Sequence, residues 1–143
     1  MASRREAALQ ALLAALTAVP GATVERESAI PERVPQGGLI ILRDGDPGKP
    51  EITLSPITYH YGHAARVEVI VQGGQVVNRA IALDGLLRAI CTALCKDLTL
   101  GGAVEWTEYE APVTEEVPVP GGCPLKAAAI IVTLYYSTGN PLN

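Results

Sequence analysis

From Leu125 to Ser137 the chain runs through a dense series of apolar residues, Ile130-Ile131-Val132-Thr133-Leu134-Tyr135-Tyr136 at its heart, with Lys126 as its only charge. β-Branched and aromatic side chains in such a run fit a pleated, buried surface, and its length suits the centre of a sheet. A second long strand is expected from Ile57 to Gln72. There Ala65, Val67, Val69 and Val71 alternate with Arg66, Glu68 and Ile70, and Tyr59 and Tyr61 share a face before Gly62. A glycine inside a strand marks a candidate bulge, so Gly62 is expected to reset the register.

Shorter strands are expected at Thr23–Glu27, at Leu39–Leu42, at Glu51–Leu54 and around Val104–Tyr109. The turn residues Asp44-Gly45-Asp46-Pro47-Gly48 suggest that the second and third of these form a hairpin. In the last of these Val104, Trp106 and the chain near Glu108 alternate with Glu105, Thr107 and Tyr109, as in a half-exposed strand.

Two segments carry helical rather than strand periodicity. Ser3 and Glu6 have capping-box spacing; Leu9, Leu12, Leu13, Leu16 and Val19 then recur on one stripe until Pro20-Gly21. Asn78 is the expected cap of a second helix reaching about Asp97, with Ile81, Leu83, Leu86, Leu87, Ile90, Cys91 and Leu94 as its apolar face. The chain has no Phe and one Trp, although 48% of its residues are hydrophobic. Small branched side chains pack in thin layers, which suits a sheet covered by helices. The expected fold is therefore α+β: a mainly antiparallel sheet with two helices packed on one face. At 143 residues, without repeat or linker, residues 1–143 are expected to form a single domain.

Charge and cysteine usage narrow the function. Fifteen acidic against 11 basic residues leave a net charge of −4, which opposes binding to a phosphate backbone. Three cysteines (Cys91, Cys95, Cys123) make an odd count with no secreted-domain framework, consistent with a reducing compartment. No apolar run reaches the roughly 18 residues of a membrane span. Arg4-Arg5 before Ala7–Val19 mimics a leader, but Gln10 and Thr17 interrupt the run and Glu6 flanks it, so a soluble helix is expected.

No catalytic, metal or cofactor site emerges. GxSxG, P-loop and HExxH patterns are absent, and the Gly-Gly pairs at 37–38, 73–74, 101–102 and 121–122 read as turns. His60 and His63 are three apart, hence on opposite faces of an unbroken strand, and are expected as surface histidines. Cys91 and Cys95 share a helix face, where free thiols act as small core hydrophobes. Glu105, Glu108, Glu110, Glu115 and Glu116 suggest a solvated or partner-facing strand. An enzyme would need a deep pocket joining His60, Cys91 and an acid. Instead, three long irregular segments are expected: Ser28–Gly38, Arg43–Pro50 and Ala111–Pro124. They point to protein–protein contacts, loose in the free subunit and tightened by docking.

The layout resembles a known family. The residues that carry the resemblance are the amphipathic first helix, the aromatic strand start Tyr59-His60-Tyr61, Leu83-Asp84-Gly85-Leu86-Leu87, Asp97-Leu98-Thr99-Leu100-Gly101-Gly102, and the last strand closing in Gly139-Asn140-Pro141. Together they are similar to the minor tail and tail terminator proteins of long-tailed phages and gene transfer agents, the group containing the lambda tail terminator. The resemblance spans nearly the whole chain, though its motifs are soft patterns and no functional residue transfers individually.

It implies a structural virion protein that forms a homo-hexameric ring at the head-proximal end of a tail, assembled in the host cytoplasm. Its partners would be further copies of itself, the tail tube protein and the head–tail connector, with DNA passing through unbound and no membrane or cofactor involved. Such rings close through heterologous contacts. From the residues themselves, Asp44, Asp46 and Lys49 at the hairpin tip and Glu115 and Glu116 in the last loop are expected to meet neighbours. Tyr59, Tyr61 and Tyr109 are candidate ring contacts, with ordinary sheet packing as their alternative. A different connector or tube ring protein is the competing assignment.

Overall fold

The structure is a computed structural model covering residues 1–143. In chain order it contains α1 (Arg4–Thr17), β1 (Thr23–Arg26), β2 (Leu39–Asp46), β3 (Glu51–Thr53), β4 (Thr58–Gln72), α2 (Val76–Cys95), β5 (Trp106–Tyr109), β6 (Val113–Val117) and β7 (Leu125–Thr138). The fold is α+β, as expected: one seven-stranded sheet of order β1-β2-β4-β7-β5, with β3 also on β4 and β6 also on β7. All pairings are antiparallel except β1 with β2.

The centre is the β4–β7 pair, in unbroken register from Tyr59↔Thr138 to Gln72↔Leu125. Gly62 therefore makes no bulge, and Tyr59, Tyr61, His63, Ala65, Val67, Val69 and Val71 all face one way. The glycine leaves room for its cross-strand neighbour: a Cβ there would lie 3.2 Å from the ring of Tyr135. The register shift falls on β2, between Arg43 and Asp46. Gly45 allows it, because its φ of +70° favours glycine and its Cα lies against the Ala64 backbone.

The expected β2–β3 hairpin does not form. β3 pairs with β4 (Glu51↔His60 to Thr53↔Thr58), so β2 and β3 follow one another along the same edge of β4. Asp44–Gly48 is thus a bulged interruption of one long strand, and the real hairpin tip is the turn between β3 and β4. On the far side of β7, β5 and β6 repeat this design. The stretch expected to be loop after Pro112 contains β6, which pairs from Val113↔Ala129 to Val117↔Leu125. Valine and threonine near the ends of that segment support a strand despite its flanking prolines.

Both helices lie on the same face. Leu9, Leu12 and Leu16 of α1 and Leu83, Leu86, Ile90 and Leu94 of α2 are buried over Ile40, Leu42, Ala65, Val67, Val69, Ile130, Val132 and Leu134. The Ser3 hydroxyl accepts the Glu6 amide at 3.2 Å, which completes half of the expected capping box. The Glu6 carboxylate turns to Arg26 instead, at 2.6 and 2.8 Å. α2 begins before Asn78: its N-cap is Gln75, which makes no side-chain capping bond. On the opposite face a smaller cluster of Val34, Leu39, Ile41, Ile70 and Leu125 is roofed by the 28–38 segment and by Val117 and Val119. Gln72 ties that roof down: its Oε1 accepts the Val34 amide, and its Nε2 donates to the carbonyls of Glu32 and Cys123.

Candidate assembly surfaces

The residues singled out in the sequence scatter across the molecule. Asp44 does not project freely. Its carboxylate receives Nε and Nη2 of Arg26 at 2.8 and 2.9 Å, while the same guanidinium grips Glu6. Arg26 thereby joins α1, β1 and β2. Its hydrogen bonds hold the Glu6 carboxyl below the ordinary carboxylate range, although partial desolvation opposes them. Asp46 caps the Gly48 amide at 2.7 Å, and Asp46 and Lys49 are exposed. Glu115 is exposed, whereas Glu116 accepts from Arg79 of α2 at 3.3 Å.

The tyrosines divide. Tyr61 is buried, with its ring centroid 5.7 Å from that of Tyr136, and Tyr59 packs against the main core, so sheet packing accounts for both. The continuous register of β4 is the reason, since it turns both rings toward α1 and α2. Tyr109 remains partly exposed on the β5 edge. β5 is largely exposed, and its one buried residue is Thr107. The Thr107 hydroxyl donates to the Leu98 carbonyl at 2.7 Å, while Trp106 is 47% exposed.

His63 is not a surface histidine. It is 1% exposed, with Nδ1 2.9 Å from the Tyr136 hydroxyl and Nε2 against the Asp44 carbonyl. His60 faces the other side of the sheet and contacts Thr53 Oγ1 at 2.9 Å. Cys91 lies on the helix-covered side, so the sheet separates it from His60. Nor are the thiols core hydrophobes: Cys91 and Cys95 are exposed beside the Tyr109 hydroxyl. The Asp97–Gly102 motif is turn chemistry. Asp97 accepts from the Thr99 hydroxyl, the Gly101 amide and the Thr99 amide, which lowers its pKa, and Leu100, Gly101 and Gly102 all have positive φ.

Exposed apolar side chains mark surfaces that the sequence reading missed. Ile52, Leu54 and Ile57 gather at the β3–β4 turn, Leu54 being 76% exposed. Val76, Val77 and Ile81 are exposed around the first turns of α2. These two groups occupy opposite ends of β4, whose 15 residues span roughly 46 Å. A third group, Trp106 and Val113, lies along the β5–β6 edge with Glu105, Glu108 and Glu115. The available signal was apolar residues at strand and helix ends, outside any alternation. Beside α2 and Tyr109 lies a cleft of about 250 Å³, walled mainly by Leu87, Ile90, Leu94, Pro112 and Ile130. No helix is long and apolar enough to cross a membrane. No protein-family model matches the chain, and no curated protein is detectably similar to it in sequence.

Proposed function

We propose that this chain is a structural ring subunit of a phage-type tail, a tail terminator that caps the head-proximal end of the tube and meets the head–tail connector. It acts in the virion tail as copies of itself, without cofactor or catalytic step. The observation that carries this reading is the pair of apolar groups at opposite ends of β4: Ile52, Leu54 and Ile57 at one end, Val76, Val77 and Ile81 at the other. A subunit that docks on a tube below and a connector above needs two separated contact surfaces. Exposed apolar patches at a rigid element's two ends serve that purpose. The open β5–β6 edge, carrying Trp106, Val113 and several glutamates, would face a neighbouring copy in the ring.

The test is imaging of particles assembled without this protein. Abnormally long or headless tails support a terminator; normal tails defeat it. The size of the purified protein provides a second check, with a monomer–hexamer mixture expected. A tail tube subunit is the competing reading, favoured by the paired 15- and 14-residue strands β4 and β7. Loss of a tube subunit would abolish tails instead of lengthening them.

A further inference from the structure

Cys91 and Cys95 lie one turn apart on α2, and a four-residue step in an α-helix places both side chains on the same face. Their Sγ atoms are 3.7 Å apart, and both are exposed. The Tyr109 hydroxyl from β5 reaches over them, 2.8 Å from Cys95 Sγ and 3.8 Å from Cys91 Sγ. Behind the pair is the apolar cleft of about 250 Å³ described above. No group of three histidine, cysteine or carboxylate side chains that could hold a metal exists here or elsewhere in the chain.

We propose that Cys91 and Cys95 form a two-thiolate site for a soft monovalent cation, cuprous copper being the fitting class. Structural zinc requires four ligands, and iron–sulfur clusters require four thiolates, so a bare pair suits neither. Soft thiolate ligands select Cu(I), which is content with low coordination. Binding is a ligand exchange without change of oxidation state: Cu⁺ and two thiols give an S–Cu–S⁻ unit, and two protons leave to solvent through the exposed sulfurs. The apolar wall keeps water off one side of the ion, a second advantage for a soft ion over a hydrated hard one.

Tyr109 then donates its hydroxyl hydrogen to a bound thiolate and steadies its charge. Its hydroxyl already lies within hydrogen-bonding reach of the Cys95 sulfur, 2.8 Å away. The site stands apart from the ring reading and does not depend on it.

The test is an anaerobic titration of the full chain, carrying Cys123→Ser, with Cu(I) against a chromophoric Cu(I) chelator. One equivalent per chain is expected, with sulfur-to-copper absorption in the near ultraviolet. Cys91→Ser and Cys95→Ser should each lose that equivalent, and Tyr109→Phe should weaken it about tenfold, as loss of an outer-sphere partner does. Zn(II) should fail to displace it. In the unsubstituted protein, bound Cu(I) should shield Cys91 and Cys95, but not Cys123, from alkylation, a readout that needs no variant to fold. Full binding by either serine variant, half an equivalent with chains bridged in pairs, or displacement by Zn(II) would each overturn the assignment.

Discussion

Gly45 and Gly48 form a matched pair for testing the bulge that carries β2 past β4. Both have φ of +70°, so alanine at either position meets the same left-handed backbone strain. That strain costs about 1 kcal/mol, and the lost freedom of glycine in the unfolded chain is common to both. Their surroundings differ. Around Gly48 an added Cβ meets nothing within 4 Å; at Gly45 it would lie 1.9 Å from the Ala64 carbonyl oxygen and 2.8 Å from its carbon. Those atoms are backbone, and no rotamer change relieves the contact. The bulge must lift, which breaks the pairing around Asp46↔Ala64 and disturbs the Arg26–Asp44 bonds. At about 1 kcal/mol for each lost hydrogen bond, a further 2–3 kcal/mol is expected. Gly48→Ala should therefore cost about 1 kcal/mol and Gly45→Ala about 3–4 kcal/mol. Urea unfolding read by circular dichroism measures both, and the difference between them isolates the close approach. Equal losses would show that β2 does not press on β4 at this point.

Two further outcomes follow from the charged groups. Arg79 is 5% exposed, with Nη1 on the Gly74 carbonyl, Nη2 on Glu116 and Nε without a partner. Glu116→Ala leaves this buried charge poorly compensated; because the Glu116 side chain is 40% exposed, the loss should be about 1–2 kcal/mol, less than for a fully buried pair. Arg79→Met removes the charge and its unpaired nitrogen and should stay within about 1 kcal/mol of the native protein, so a greater loss than for Glu116→Ala in chemical denaturation would refute the account. Glu6, whose folded pKa is lowered by Arg26, contributes stability that is present above the unfolded glutamate value of about 4.3 and is lost as pH falls through the lower folded value. Melting curves of the native protein and Glu6→Gln should thus differ by less than about 1 kcal/mol at neutral pH and converge in acid; a pH-independent gap would count against the linkage.

The alternations of β4 and β7 and the heptad-like stripe of α1 were legible because each is long enough for its period to be unmistakable. Pairing was not. Asp44–Gly48 has the composition of a hairpin turn, and only Ala64 on the neighbouring strand shows why it is a bulge instead. β6 hid among prolines because five residues hold too few periods to outweigh their flanks. His63 looked like Arg66 or Glu68 until the register passed straight through Gly62 and turned it inward with Val67. The contact residues chosen from polarity, such as Asp44 and Glu116, are engaged within the chain, since a charge near a strand end finds the nearest partner. The Cys91–Cys95–Tyr109 cluster joins a helix to a strand 14 residues further on, a proximity that helical spacing alone does not contain.

The placement of β7 has a consequence for synthesis. It is the strand on which β4, β5 and β6 all converge, yet it spans residues 125–138. A nascent chain on the ribosome holds every other strand before it holds the one that joins them. Until then the edge of β4 that β7 pairs with is open, and Val67 and Val69 lack the cover that Ile130 and Val132 give the main core. The sheet therefore cannot close before β7 is made, and until then the unpaired edge of β4 is a site where nascent chains can associate wrongly.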